Sequence, residues 1–284
     1  MARYAFRIVN VFAEALLAGN PLAVFEDGRG LDDEAMQALA LQFNLSETTF
    51  VLPSERATAR VRIFTPTFEM PFAGHPTLGT AHVVRDLARA GDELTLEMTA
   101  GLIPVRASGD AWTLSANPPR TRPAASSRAE LASALGLEPA DLAADPLWVD
   151  TGSEQLVVPL ASAEAVRKAA PRSELLAKHA STALPGGMSK SMAYVWAMNG
   201  RDRVLARFFF LKYGSVVEDP GTGSACANLG GWLIATGAPR PCRWTIDQGE
   251  AVGRPCRLGL VVDAQGAIQV SGRVIELGRG TLEL

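Results

Sequence analysis

Two segments of the chain share one order of sequence features, and this repeat constrains the fold more than any other property. One segment begins at Arg62 and the other begins at Arg207. Each has a β-rich stretch, a short turn, a polar residue followed by proline, and then a helical stretch of small and apolar residues. The polar residue and its proline are His75-Pro76 in the first segment and Asp219-Pro220 in the second. The repeat predicts a chain built from two similar halves.

The helix predicted after each proline is nearly free of charged residues in its first turns. A helix that is apolar or small on all faces is buried on all faces. The simplest architecture is therefore an α+β fold in which a sheet of short strands wraps around one central helix, twice. The start of each helix presents unpaired backbone N–H groups and a positive dipole end. Two such starts beside titratable residues predict an anion-binding site that contains an acid/base pair.

The length of 284 residues fits two domains. The best linker candidate is residues 117–123, because three prolines in seven residues are incompatible with a helix or a central strand. An early helix is predicted from Asp32 or Asp33 to Phe43, with Asn44 as its left-handed stop. Ser127 and Glu130 form a capping box for a further helix.

Composition excludes several classes of function. The net charge of −3 provides no basic field for nucleic acid. The long uncharged stretch at 220–239 contains five glycines and reads as a buried helix with its approach, not as a membrane span. The three cysteines, Cys226, Cys242 and Cys256, lack CxxC spacing and fit a reducing cytoplasm.

Three residues are candidates for chemistry, and each has an ordinary structural alternative. His75 is either a polar residue at a tight turn or a functional imidazole. Asp219 is either an N-cap or part of an anion site formed with the small-residue loop 221–224. Glu47 enters an apolar strand, so it is either a solvent-facing edge residue or a carboxyl whose pKa is raised for proton transfer.

Other chemistries lack support in the sequence. His75 and His82 are seven residues apart, but no further His or Cys has ligand spacing, so a metal site is not expected. The loop after Asp219 lacks the Gly-Lys-Ser/Thr of a nucleotide-binding loop. A Gly-x-Ser-x-Gly elbow is missing, and four lysines give weak support to a Schiff-base cofactor.

Several motifs together resemble the PhzF phenazine-biosynthesis family in order and spacing. They are GNPLAV (19–24), SETTF (46–50), FTPTFEMPFAGHPTLG (64–79), EDPGTGSA (218–225) and QGEAVGRP (248–255). The resemblance covers nearly the whole chain. It implies the diaminopimelate-epimerase-like fold, with two pseudo-symmetric domains that each wrap a barrel-like sheet around a central helix and with the active site between them. We expect domains of residues 1–118 and 119–276, with the last strand, 277–284, returning to the first domain.

The resemblance also implies an activity and a set of site residues. The family's phenazine enzyme isomerises trans-2,3-dihydro-3-hydroxyanthranilate without a cofactor, using a glutamate that carries a proton between two carbons. By the matching motifs, that glutamate is Glu47, the active-site histidine is His75 and the aspartate is Asp219. Ser224 would contact the substrate, and the backbone N–H groups of Gly74 and Gly223 would bind its carboxylate. A cytoplasmic homodimer that acts on a small carboxylate is the expected form.

Two alternatives to this isomerase remain. One is a ligand-binding or adaptor protein on the same scaffold, without turnover. The other is an epimerase or racemase of the same superfamily, which would use one thiol at each helix start. The second is disfavoured, because those positions hold Gly74-His75 and Glu218-Asp219, and Cys226 lies inside the second helix. Departures from the family pattern, such as Gly221 where alanine is usual, leave the substrate open.

Overall fold

The computed structural model describes residues 1–183 and 189–284. The strands are β1 (Arg3–Val11), β2 (Asn20–Phe25), β3 (Glu47–Leu52), β4 (Ala59–Phe64), β5 (Glu69–Met70), β6 (Glu93–Met98), β7 (Gly101–Ser108), β8 (Ala111–Ser115), β9 (Arg120–Pro123), β10 (Leu147–Asp150), β11 (Gln155–Pro159), β12 (Ser181–Ala183), β13 (Ser189–Met198), β14 (Arg203–Lys212), β15 (Ser215–Asp219), β16 (Cys242–Gln248), β17 (Cys256–Val262) and β18 (Ile268–Glu283). The α-helices are α1 (Asp33–Phe43), α2 (Gly74–Ala88), α3 (Arg128–Ala134), α4 (Ala163–Lys168), α5 (Ser173–His179) and α6 (Gly223–Ala235).

The chain divides into two compact units with the same strand pairing. Unit 1 is residues 1–115 with 271–284, and unit 2 is residues 116–270. In unit 1, β2 runs parallel to β3, β3 antiparallel to β4, and β4 parallel to β6. In unit 2, β11 runs parallel to β13, β13 antiparallel to β14, and β14 parallel to β16. The predicted α+β fold with an internal repeat is confirmed.

One helix lies at the centre of each unit. In unit 1, α2 contacts β1, β2, β3, β4, β6 and β8, and in unit 2, α6 contacts β9, β10, β11 and β17. The residues of α2 from Gly74 to Ala81 are all buried, and so are those of α6 from Ala225 to Leu233. The near absence of charge in these helices is explained by burial on every side.

Helices outside the sheets complete the two cores. In unit 1, α1 places Met36, Leu39 and Ala40 against Phe25 and Phe50. As predicted, Asp32 caps α1 by accepting from the backbone N–H of Ala35, and Asn44 ends it in the left-handed conformation. In unit 2, α3, α4 and α5 pack on the sheet through a separate apolar cluster. The predicted capping box of Ser127 and Glu130 starts α3.

Each unit contains an equivalent ion pair, and these two pairs show which residues of the two helix starts correspond in sequence. Arg62 on β4 holds Glu69 on β5 through two short hydrogen bonds (2.8 and 2.6 Å), and Arg207 on β14 holds Glu218 on β15 in the same way (3.1 and 2.6 Å). In both units the helix begins five positions after this glutamate, at Gly74 and at Gly223. The two segments therefore align as EMPFAGHP and EDPGTGSA.

This alignment corrects the repeat as it was inferred from the sequence. Asp219 corresponds to Met70, and His75 corresponds to Ser224. The expected match of His75-Pro76 with Asp219-Pro220 is wrong, because Pro220 has its counterpart in Pro71, four residues before His75. Both prolines at 71 and 76 suit a helix approach, so sequence spacing alone could not choose between them.

The predicted linker at 117–123 also differs in the structure. Its second half is β9, which pairs antiparallel with β10. Every residue of β9 is exposed, and Pro123 lies at its end, where a strand tolerates the missing N–H. At the other end of the chain, β18 pairs antiparallel with β1 from Val274 to Glu283.

Candidate active site

In unit 1, the start of α2 is buried, and its N-cap residue does not accept hydrogen bonds from the first backbone N–H groups of the helix. The N-cap is Ala73, whose side chain has no oxygen with which to accept from the first-turn N–H groups. The hydroxyl of Thr77 donates to the carbonyl of Ala73 (2.7 Å) and so does not cap the N–H groups either. Gly74 and His75 are both buried at this start. Such an end favours a bound anion.

Glu47 and His75 are brought together in unit 1, although 28 positions separate them in the sequence. Glu47 is the first residue of β3, and His75 lies in the first turn of α2. Glu47 Oε2 lies 3.2 Å from His75 Nδ1, and the side chains are 16% and 6% exposed. The carboxyl therefore sits beside an imidazole that is nearly inaccessible to water. Of the two sequence alternatives for Glu47, the solvent-facing edge residue does not fit this position.

Burial favours the neutral form of the His75 imidazole. Burial lowers the pKa of His75 to about 3, while a contact with the backbone of Pro21 acts in the opposite direction. The contact with Glu47 is thus between a carboxyl and a neutral imidazole, not an ion pair. Among residues 1–183 and 189–284, His75 Nε2 has no hydrogen-bond partner. That nitrogen is a buried polar atom which a ligand could satisfy.

In unit 2, Asp219 lies at the end of β15, four positions before α6 begins. The N-cap of α6 is Thr222, so Asp219 is not the N-cap that the sequence suggested. The hydroxyl of Thr222 donates to Asp219 Oδ2. Gln248 Nε2 donates to the carbonyl of Asp219 (2.9 Å) and to Thr222 Oγ1 (3.0 Å). These bonds hold the loop between β15 and α6 against β16.

Gly223 and Ser224 form the first turn of α6, in the positions that Gly74 and His75 occupy in unit 1. Gly223 is buried, whereas Ser224 is partly exposed. Gln155 Nε2 donates to Ser224 Oγ over 2.9 Å, and Asn228 on the next turn of α6 holds Gln155. Gln155 and Asn228 were not predicted as site residues. The sequence signal that could have indicated them is Asn228 itself, the one amide side chain in a helix of small and apolar residues.

Each unit carries a carboxylate where the other has methionine. Phe50 on β3 pairs with Arg62, and Val195 on β13 pairs with the equivalent Arg207. Glu47 in unit 1 therefore corresponds to Met192 in unit 2. In the same way, Asp219 corresponds to Met70. The repeat therefore supplies two similar scaffolds, but each carboxylate is specific to one unit. Neither unit contains both of these acidic residues.

The thiols do not lie at the helix starts. Cys226 is buried within α6, and burial raises its pKa well above the ordinary range. Burial likewise raises the pKa of Cys256 and, to a smaller degree, that of Cys242. Thiols of this kind are poor nucleophiles and poor bases near neutral pH.

Two further features are absent from the part of the chain that the structure describes. That part has no group of three or more His, Cys, Asp or Glu side chains that could hold a metal ion. Among the described residues, none of the helices combines the length and the apolar composition that crossing a membrane requires.

Comparison with known proteins gives a consistent family. The family model for phenazine biosynthesis-like protein, PhzC-PhzF, matches residues 9–280. An uncharacterized isomerase of Pasteurella multocida is 40% identical over 98% of this chain and 94% of its own length. The trans-2,3-dihydro-3-hydroxyanthranilate isomerase of Pseudomonas aeruginosa is 36% identical over 99% of both chains.

Solved structures share the fold. A PhzF-family protein of Bacillus anthracis superimposes with a TM-score of 0.85 at 24% identity, over the full length of both chains. A predicted epimerase of Pseudomonas aeruginosa gives 0.79 at 32% identity, also over both full lengths. A probable proline racemase of Agrobacterium radiobacter, at 12% identity, shares the fold with a TM-score of 0.66 over 99% of this chain and 93% of its own. The chain therefore belongs to the phenazine biosynthesis-like protein family, and it is an isomerase of the PhzF type.

Proposed function

We propose that the protein moves a proton between two carbons of a small carboxylate substrate, with Glu47 as the general acid and base. The observation that carries this proposal is the 3.2 Å contact between Glu47 Oε2 and the buried, neutral His75. A carboxylate that is largely shielded from water can accept a proton from carbon and return it. His75 is the titratable side chain that lies beside this carboxyl.

The reaction balances without an added redox partner. Glu47 takes a proton from one carbon, the electron pair of that C–H bond moves into the conjugated system, and Glu47 returns the proton to another carbon. The carboxylate is regenerated, and the substrate keeps its atoms and electrons. The proposal therefore needs no cofactor. The relative from Pseudomonas aeruginosa suggests trans-2,3-dihydro-3-hydroxyanthranilate as the first compound to test.

The remaining site residues are proposed to bind the substrate. The starts of α2 and α6 offer the backbone N–H groups of Gly74 and Gly223 to an anionic group. Ser224 offers a hydroxyl, and Asp219 is the acidic group of unit 2, held by Thr222. The proposal also includes a homodimer in the cytoplasm with no nucleic-acid partner.

Glu47→Gln tests the proposal. Loss of general acid/base catalysis should lower kcat by about 10²–10⁴, as measured by product formation from trans-2,3-dihydro-3-hydroxyanthranilate. Glu93→Gln is the control, because Glu93 is an exposed carboxylate whose partner is the exposed Arg106. Turnover by Glu47→Gln within about tenfold of the wild-type rate contradicts the shuttle role. A wild-type protein that binds the compound without converting it supports the adaptor alternative.

A further inference from the structure

A chain of hydrogen bonds between buried side chains leads from the middle of α6 to the hydroxyl of Ser224. Asn228 is fully buried, and its Oδ1 accepts from Thr151 N (2.9 Å) and Thr151 Oγ1 (2.7 Å). Its Nδ2 donates to the Ser153 carbonyl (2.9 Å) and to Gln155 Oε1 (2.8 Å). Gln155, 4% exposed, completes the chain by donating through Nε2 to Ser224 Oγ (2.9 Å).

The main chain fixes the direction of every bond in this series. The backbone N–H of Thr151 can only donate, so the Asn228 atom that faces it is oxygen. The carbonyl of Ser153 can only accept, so the atom that faces it is Nδ2. The same Nδ2 meets Gln155, which must therefore present its oxygen to Asn228 and its nitrogen to Ser224. Both amides are thus oriented by backbone groups whose polarity is not in doubt.

The orientation of Gln155 determines what Ser224 can offer a ligand. Ser224 Oγ accepts from Gln155, so its own proton is directed elsewhere. Within the described residues, Gln155 is the hydrogen-bond partner of this hydroxyl. Ser224 therefore has its O–H available as a donor, which suits a carboxylate or carbonyl oxygen.

Unit 1 shows that the fold itself does not need this polar chain. The pairings of β1 with β2 and of β10 with β11 place Leu22 where Gln155 lies and Val11 where Thr151 lies. The helix alignment places Gly79 where Asn228 lies. In unit 1 these positions form apolar packing, since a Cβ on Gly79 would lie 2.6 Å from Leu22 and 2.9 Å from Val11. The same scaffold is thus built once with apolar contacts and once with hydrogen bonds.

We infer that Gln155 and Asn228 are positioning residues that set the Ser224 hydroxyl to donate to an acceptor oxygen of the substrate. The inference rests on the proposed function, in which Ser224 contacts the substrate. It adds that the substrate group at Ser224 is a hydrogen-bond acceptor, because the buried amides occupy one lone pair of Ser224 Oγ and direct its proton away from Gln155. A buried polar network that is fully satisfied specifies one arrangement of its members.

A thiol introduced at position 224 tests, without any substrate, whether Gln155 donates a hydrogen bond to the side chain there. In Ser224→Cys, donation from Gln155 Nε2 stabilises the thiolate, so adding Gln155→Met should raise the pKa of the introduced thiol by about one unit. Adding Gln155→Glu, which keeps the acceptor for Asn228 but removes the donor, should raise it further. The readout is the pH dependence of thiol labelling, with the parent protein giving the background from its own cysteines. An unchanged thiol pKa in both double variants overturns the inference.

A double-mutant cycle tests the role in turnover. Gln155→Met and Ser224→Ala should each lower kcat/KM for trans-2,3-dihydro-3-hydroxyanthranilate by about tenfold, mainly through KM. Ser224→Ala removes the proposed hydrogen bond to the anionic group, and Gln155→Met removes the bond that orients this donor. If Gln155 acts through Ser224, the combined variant is no worse than Ser224→Ala. Losses that multiply to about a hundredfold overturn the inference. Thr236→Val, which removes a side-chain bond at the far end of α6, is the control and should leave KM unchanged.

The two experiments separate this inference from the proposed function. If the wild-type protein does not convert the compound, the proposed substrate fails, and the thiol pKa still decides whether Gln155 orients position 224. If Glu47→Gln keeps full activity while the thiol pKa shifts as expected, the shuttle role fails and the positioning role stands. If Gln155→Met does not fold, Gln155→Glu supplies both measurements, because it retains the bond to Asn228.

Discussion

Replacing Asn228 with leucine removes four buried hydrogen bonds from unit 2 without a large change in side-chain volume. The lost bonds join Asn228 to Thr151, twice, and to Ser153 and Gln155. A net contribution of about 1 kcal/mol for each bond gives about 4 kcal/mol. The buried N–H of Thr151 and the carbonyl of Ser153 lose a partner, which adds to the cost, while the apolar leucine offsets part of it. We expect a loss of about 3–5 kcal/mol in the free energy of unfolding.

Urea unfolding followed by tryptophan fluorescence measures this loss in the relevant unit. Four of the five tryptophans, Trp148, Trp196, Trp232 and Trp244, lie in unit 2. With a slope of about 3 kcal/mol per molar urea, the midpoint should fall by about 1–1.7 M. Asn199→Leu is the control, because Asn199 is exposed in the loop between β13 and β14, and it should change stability by less than about 0.5 kcal/mol. A loss below about 1 kcal/mol for Asn228→Leu refutes the reasoning, since the network would then contribute little.

Two further predictions concern the titratable groups. Burial lowers the pKa of His75 to about 3 from its ordinary 6.5, so the unfolded chain binds a proton between these pH values that the folded chain does not. Stability should therefore fall as the pH drops below about 6.5, with a contribution from His75 approaching about 1.4 kcal/mol per pH unit, and His75→Gln should reduce this slope in urea titrations between pH 4.5 and 7. An equal slope in His75→Gln would show that the imidazole titrates normally. Because burial raises the pKa values of Cys226 and Cys256, treatment with iodoacetamide at pH 7 should leave turnover unchanged, whereas inactivation that is prevented by substrate would favour a thiol mechanism.

Features set by local sequence were predicted well. The helix from Asp33 to Phe43 and the capping box at Ser127 depend on residues three or four positions apart, and both are present. The burial of the two central helices followed from their lack of charge. These features need no knowledge of which strands pair.

Features that depend on strand pairing were harder to predict. The contact of Glu47 with His75 requires β3 and α2 to meet, and the sequence left Glu47 open until the family motifs were considered. The bonds of Asn228 to Thr151 span 77 positions, so no local pattern indicated them. The match of His75 with Asp219 failed because the correct alignment follows from the ion pairs Arg62–Glu69 and Arg207–Glu218 and from where the two helices begin.

The most direct test of the central claim is deuterium incorporation from heavy water. The wild-type protein and Glu47→Gln are each incubated with trans-2,3-dihydro-3-hydroxyanthranilate in D₂O, and the mass of the recovered small molecules is measured. A carboxylate that holds the migrating proton exchanges it with solvent, so the wild-type protein should introduce carbon-bound deuterium, and Glu47→Gln should introduce at least about a hundredfold less in the same time. Equal incorporation by the two proteins, above the level found without protein, would contradict the assignment of the proton transfer to Glu47.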